Sequence, residues 1–408
     1  MVFFRRRQSN ILLLSYFLWL FLPGFVYVSL GGGSGIGIGA VIATVLQISL
    51  FIIFRPNFKI YINRVTLIYL CFSGLVVINI ISAEYTIIGV RQLGAFMFVV
   101  LAVLCAALIV GELKYLSASE LRFFFEKLII IIIAWTLFFY FLPFAFLNYD
   151  SFSKSMFPYA EPSHYILSLG FIMFIAGAVV SFKYKVASLS LLFFVGIMMP
   201  SMIALALCLL YLIHFGGLHK VKVFFVFLLI LGGGGIYIVL GWDFFTDKSG
   251  YYIDRIDFSS SANNLTALVY IQGFSLIVSN LVDYPLGLGL QNIGKEPPID
   301  ISLKIYHLAG EFKNRTDGGF LASKFISEFG FLGLGFVVVY LIHWFKVLFR
   351  MLFKRDDYDE VQLISMAGYL VFIVELFIRG TGYLSFGVLI LFIYLINIDK
   401  KKLFELSN

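Results

Sequence analysis

Residues 93–111 read LGAFMFVVLAVLCAALIVG, a stretch without one charged side chain. As a helix it rises about 28 Å, close to the roughly 30 Å hydrocarbon core of a bilayer. Lipid offers no partners to backbone N–H and C=O groups, so such a run is read as a membrane-spanning helix that satisfies them internally. Arg91 and Lys114 bracket it where the two membrane surfaces are expected.

Working outward, runs of the same character recur at 11–30, 35–54, 65–82, 128–147, 164–182, 223–241, 319–344, 361–378 and 384–397. The stretch 186–215 is too long for one crossing and is cut by Pro200-Ser201. Proline suits a helix start and disfavours the α conformation just before it, so this stretch is expected to cross and return as two short spans. The expected fold is all-α: a polytopic transmembrane bundle of about twelve spans forming one integral membrane domain, 1–408.

Composition agrees. The 408 residues are 61% hydrophobic and 13% charged, with 48 Phe and 23 Tyr, against roughly 25% charged in average soluble domains. Half the usual charge cannot cover a soluble surface of this size, which excludes soluble enzymes, nucleic-acid binders and secreted disulfide scaffolds. Cys71, Cys105 and Cys208 all lie in apolar runs and suggest neither a disulfide framework nor a metal site. Arg5-Arg6-Arg7 before the first run resembles the start of a signal peptide, but no small-residue cleavage site follows, so an uncleaved first span is expected.

The net charge of +7 is chiefly a topology signal. With both termini in the cytoplasm, twenty of the 30 basic residues fall on the cytoplasmic side, including Lys346, Arg350, Lys354 and Arg355. The ten left outside are Arg91, Lys154, Lys248, Arg255, Lys295, Lys304, Lys313, Arg315, Lys324 and Arg379. Residues 242–318 become one large external loop. Within it, 263–280 is apolar yet carries Thr266, Gln272, Gly273 and Ser275, and is expected to be a helix at or above the interface. Asn263-Asn264 suits its start and Asp283-Tyr284-Pro285-Leu286-Gly287 its end. The glycine runs Gly31–Gly35 and Gly232–Gly235 lack the flanking pattern of phosphate-binding loops. The first reads as a tight external turn, the second as close helix packing within a span.

Charges at external helix ends are costly and so informative. Glu161-Pro162-Ser163-His164 opens the sixth span: Pro162 suits the first helical turn, and Glu161 reads either as a capping carboxylate or, with His164, as a base or sugar-binding pair. Arg255 sits between Asp254 and Asp257. Arg315 and Asp317 lead into the tenth span, followed by Lys324 and Glu328 four apart; Glu375 and Arg379 repeat that spacing before Gly380-Thr381-Gly382-Tyr383. Each pair reads either as structural ion pairing or as part of an arginine cluster able to grip a diphosphate. Converging, Arg91, Arg255, Arg315 and Arg379 would form one anion site. His307 lies in the loop and could titrate near neutrality. His214, His219 and His343 fall on or near the cytoplasmic side. No metal or cofactor site is legible.

The layout resembles the O-antigen polymerases (Wzy) and, more distantly, the O-antigen ligases of the same polytopic glycosyltransferase superfamily. The local matches are Glu161-Pro162-Ser163, Pro200-Ser201, Tyr284-Pro285-Leu286-Gly287-Leu288-Gly289, Asp317-Gly318-Gly319-Phe320-Leu321 running to Glu328-Phe329-Gly330, and Arg379-Gly380-Thr381-Gly382-Tyr383. The resemblance implies an inverting transferase in the bacterial inner membrane. It would move a growing glycan from undecaprenyl diphosphate to a new lipid-linked repeat unit at the periplasmic face, without a cofactor. Beyond lipids and the lipid-linked oligosaccharide, a chain-length regulator protein is the implied partner. Arg255 and Arg315 would hold the diphosphate, helped by Arg91 and Arg379. His164 and Tyr383 would contact substrate, and Asp317, Glu161 and His307 are the candidate bases, in that order. Asp317 stands where the ligases commonly carry a histidine, which sets this chain apart from them. A flippase would carry polar residues through its spans, whereas these spans are almost uniformly apolar.

Overall fold

A computed structural model describes residues 2–30, 35–54, 62–82, 90–141, 156–199, 201–215, 263–380 and 382–397, with the side chains of 2–12, 62–64, 78–82 and 90 left aside. The expected span 223–241, both glycine-run assignments at 31–34 and 232–235, and the 242–262 segment with Asp254, Arg255 and Asp257 lie outside the described residues. So do Arg55, Lys59, Lys154, His219 and the basic cluster at 400–402.

Every extended regular element among the described residues is helical. The helices are α1 (Val2–Ser29), α2 (Gly35–Phe54), α3 (Ile62–Ser82), α4 (Val90–Tyr115), α5 (Ala118–Phe141), α6 (Pro162–Gly177), α7 (Phe182–Met198) and α8 (Met202–Phe215). They continue with α9 (Leu265–Asp283), α10 (Asp300–Ala309), α11 (Leu321–Phe353), α12 (Glu360–Phe377) and α13 (Phe386–Asn397). Six are long and apolar enough to cross a membrane: α2, α4, α5, α9, α11 and α12. Several shorter apolar helices pack among them, so the chain is a membrane-type helical bundle.

Local chemistry sets the boundaries. Pro162 occupies the first turn of α6, as expected. The 186–215 stretch does break, α7 ending at Met198 and α8 starting at Met202. Asn264 caps α9 by accepting from the Thr266 N–H at 2.9 Å. α2 begins Gly35-Ile-Gly-Ile-Gly39, a small-residue spacing that lets it lie on the α1 backbone. A Cβ on Gly39 would stand 2.6 Å from the Leu22 carbonyl oxygen.

The bundle has two distinct ends. At one, Arg355 donates to the Ala178 carbonyl and stacks 5.9 Å from Phe215, tying together the ends of α6, α8 and α11. Glu126 near the start of α5 accepts there from the Ser181 N–H and hydroxyl, at 3.1 and 2.7 Å. At the other, Gln92 at the start of α4 donates to Asn292 at 2.9 Å, and Trp135 near the end of α5 donates to the Phe157 carbonyl at 3.3 Å. The start of α6, the start of α11 and the end of α12 meet at this second end, called here the loop end.

α11 runs for 33 residues, about 50 Å, and is broken at Gly330 (φ 58°, ψ −139°). The segment 285–289 fills the break. Phe331 donates to the Pro285 carbonyl (2.9 Å), Leu288 to that of Ser327 (3.0 Å) and Gly289 to that of Glu328 (3.0 Å). Irregular backbone inside an apolar bundle is tolerable only when its polar groups are satisfied in this way. A Cβ on Gly287 (φ +92°) would lie 2.2 Å from the Glu328 carbonyl oxygen, so glycine is required at the contact. α9, expected as an interfacial helix but long and apolar enough to cross a membrane, packs on the start of α11 and the end of α12: Ser323 donates to the Gly273 carbonyl at 2.7 Å, and Tyr270 donates to the Phe377 carbonyl. α10 packs on α9 through Ile305, Leu268 and Val269.

Candidate active site at the loop end

Three segments bring charge together. The first is the turn before α6, where Met156 and Tyr159 exchange backbone hydrogen bonds at 2.9 and 2.7 Å. This places Glu161 at the N-cap, but its side chain caps no helical N–H. It accepts instead from Arg379 Nη2 at 2.9 Å and from the Ser163 hydroxyl at 3.1 Å, with His164 Nε2 at 3.7 Å. The carboxylate is thus paired with Arg379 and does not cap α6.

The second segment follows α12. The helix ends because Ile378 and Arg379 both donate to the Val374 carbonyl, at 2.8 and 3.0 Å. Arg379 therefore leaves the helical face it would share with Glu375, and among the described residues no ion pair joins the two. Its guanidinium turns to Glu161 and lies 3.4 Å from His164 Nε2. Gly380 lets this strand of chain pass the start of α11, since a Cβ there would be 2.6 Å from the Leu321 nitrogen.

The third segment is 313–328. Here the expected Lys324–Glu328 pair does form, at 3.5 Å, with both side chains almost wholly buried. Lys324 also donates to the Thr316 carbonyl at 2.9 Å and stands 3.7 Å from Asp317. Tyr383 donates to the other oxygen of Glu328 at 2.7 Å. Burial, the Glu328 charge and this hydrogen bond push the Tyr383 phenol well above its usual pKa. Tyr383 is thus a buried anchor of the network.

Electrostatics joins the three segments. Partial burial by itself raises the Glu161 carboxyl, but His164, Arg379, the Ser163 hydroxyl and Lys313 outweigh it and hold Glu161 below its ordinary value. Asp317 is close enough to His164 for its charge to act on the imidazole. Burial raises the Glu296 carboxyl; its own N–H, that of Gly294 and Arg315 pull the other way, and Glu328 adds to the rise.

The remaining candidates are spread along the same end. Arg315 donates through Nη2 to the Glu296 carbonyl and lies 5.2 Å from the Phe312 ring. Arg91 is exposed in the first turn of α4, next to Gln92 and its bond to Asn292. Among the described residues, no ion pair or hydrogen bond joins Arg91 or Arg315 to Arg379. His307 is exposed on α10 beside Tyr306, with no hydrogen bond to the Glu161–Arg379 pair. His214 bonds the Leu210 carbonyl (2.7 Å) and His343 the Tyr394 hydroxyl (2.6 Å), both remote from these charges.

Below the cluster lies a small cavity bounded by His164, Ser168, Glu375, Ser385 and Gly387, with Trp19 and Phe386 among its aromatic walls. Sequence reading treated Glu375 as one half of an ion pair and passed over this space. The available signal was Gly387 two residues into an apolar helix. Among the described residues, no group of three His, Cys, Asp or Glu side chains could hold a metal ion. No family model, curated protein or solved structure matches the chain.

Proposed function

We propose that this protein is a membrane-embedded glycosyltransferase acting on a lipid-diphosphate-linked donor, of the polymerase type that adds a growing glycan to a new lipid-linked repeat unit. The observation that carries this reading is the Glu161–Arg379 pair with His164 beside it, set at the end of an apolar bundle. Transfer from a lipid diphosphate needs a cation for the departing diphosphate and a base for the acceptor hydroxyl, at a height where a lipid headgroup can reach both.

Arg379 supplies the first. Glu161 uses only its Nη2, and Nε has no hydrogen-bond partner among the described residues. A diphosphate would compete with Glu161 for this planar fork through charge-assisted bonds. Lys313, already felt by Glu161, adds positive charge, and Arg315 and Arg91 are further cations at the same end. Once the guanidinium turns to the diphosphate, Glu161 loses one of the partners, after His164, that depress its basicity and can take the acceptor proton. Asp317, held by Lys324, is the second carboxylate. Arg255 belongs to the proposed diphosphate set by its resemblance alone.

In this reading the loop end faces the periplasm and the Arg350–Arg355 end the cytoplasm of a bacterial inner membrane. A ligase would make the same bonds with a different acceptor. The test is reconstitution in proteoliposomes with a purified undecaprenyl-diphosphate-linked repeat unit. Elongated lipid-linked products support the proposal; translocation of the intact unit without elongation supports a transporter and overturns it.

A further inference from the structure

Glu375 is fully buried two residues before the end of α12, a costly place for a carboxylate in an apolar bundle. The fold makes specific room for it. A Cβ on Gly387 would stand 1.8 Å from Glu375 Oε2, so a side chain there would displace the carboxylate from its present place. The space it borders is a cavity of about 20 Å³, enough for one water, which needs roughly 10–15 Å³ and polar partners. Ser168, Ser385 and His164 supply polar groups around it.

His164 borders both this cavity and the ion cluster. A guanidinium can only donate, so the 3.4 Å approach of Arg379 makes Nε2 the acceptor and places the proton of the neutral ring on Nδ1. Nδ1 is buried and has no hydrogen-bond partner among the described residues. The imidazole thus has one nitrogen at Glu161 and a second, protonated nitrogen still to be satisfied.

Building on the proposed transferase activity, we infer that His164 and Glu375 form a proton relay that drains the acceptor proton from Glu161 into the cavity. In the transfer step the acceptor O–H bond breaks and its oxygen bonds to the donor anomeric carbon. The bond from that carbon to the diphosphate oxygen breaks, and its electron pair leaves on the diphosphate. The proton passes to Glu161 and then to His164 Nε2, while the proton on Nδ1 leaves across the cavity to the Glu375 carboxylate. Glu375 is a positioning and relay residue that touches neither substrate. The charged and titratable groups around His164 are Glu161 before α6, Arg379 after α12, Asp317 before α11, and Tyr159 and Glu375 at the cavity; α1, α2 and α13 contribute only uncharged lining residues.

The test compares wild type with Glu375→Gln and Gly387→Ala, the latter displacing the carboxylate without removing it. In proteoliposomes with the purified undecaprenyl-diphosphate-linked repeat unit, both variants should lower kcat by roughly 100-fold, the low end of the range for proton-transfer catalysis. KM should stay within about twofold, the pH profile should shift, and Glu375→Asp should recover part of the loss. Without any substrate, ¹⁵N-labelled His164 in nanodiscs should show Nδ1 protonated in wild type, with its resonance displaced in Glu375→Gln. Wild-type kcat and pH profile in Glu375→Gln overturn the relay even if elongation is confirmed. An unchanged Nδ1 resonance overturns it even if wild type forms no elongated product, an outcome that would separately sink the transferase assignment.

Discussion

Arg379 donates to Glu161 at 2.9 Å across 218 positions of sequence, in preference to Glu375 four residues behind it. The choice follows from the end of α12: one more helical turn would have kept Arg379 on the Glu375 face. It leaves Glu375 to line a cavity and gives Glu161 a cation that an anionic substrate can take away. Arg379→Ala should therefore reduce elongation by at least about 100-fold, the scale for losing a group that stabilises transition-state charge. Arg379→Lys should recover little, because an ammonium lacks the planar fork. Product ladders from reconstituted variants read both outcomes, and a normal ladder from Arg379→Ala would remove Arg379 from the site.

The pair also predicts an acid limit. The folded-state pKa of Glu161 is depressed, so what the pair contributes is fully present above the ordinary carboxylate value of about 4.3. It is lost progressively as pH falls from there through the lower folded-state value. Thermal stability in detergent should accordingly hold above that value and decline as pH drops from it towards the folded-state value, and Glu161→Gln should remove this share of the acid loss. An acid step of the same size and midpoint in Glu161→Gln would assign it to another group.

Lys324 and Glu328 are buried partners, so removing one strands the other. Lys324→Met should cost roughly 3–5 kcal/mol, seen as a large drop in unfolding temperature. Lys324→Met combined with Glu328→Gln should restore much of it, because the uncompensated charge is gone. Additive losses in a double-mutant cycle would show that the two do not act as a pair.

Backbone complementarity between 285–289 and the α11 break makes its own forecast. Gly287→Ala should destabilise by more than about 1 kcal/mol, since a side chain at positive φ adds strain and its Cβ meets the Glu328 carbonyl. Gly310, also at positive φ but facing open space, is the control. Gly310→Ala should cost clearly less in the same thermal assay.

Sidedness is checked by labelling. In a Cys71→Ser background, a cysteine replacing the exposed Glu311 should react with an impermeant maleimide applied to cells whose outer membrane is opened. One replacing the exposed Asp356 should react only after the inner membrane is breached. The reverse pattern would invert the orientation and move the site to the cytoplasmic face.

The amino-acid sequence by itself determined what depends on composition and neighbours. Uncharged stretches long enough to cover lipid are helices because their backbone groups have no other partners there. Pro162, Asn264 and the Asp283–Gly287 turn bound helices through local dihedral and capping chemistry. The Lys324–Glu328 pair was legible because four residues on an unbroken helix are neighbours. What only the tertiary structure decided is which distant groups meet. Sequence spacing assigned Arg379 to Glu375, and the end of α12 reassigned it to Glu161. The Tyr284–Gly289 and Glu328–Gly330 motifs read as separate matches, yet one fills the helix break of the other. The cavity beside Glu375 required α1, α6, α12 and α13 at once. A charged or polar group in an apolar bundle is satisfied by the partners nearest in space, and helix packing sets which those are.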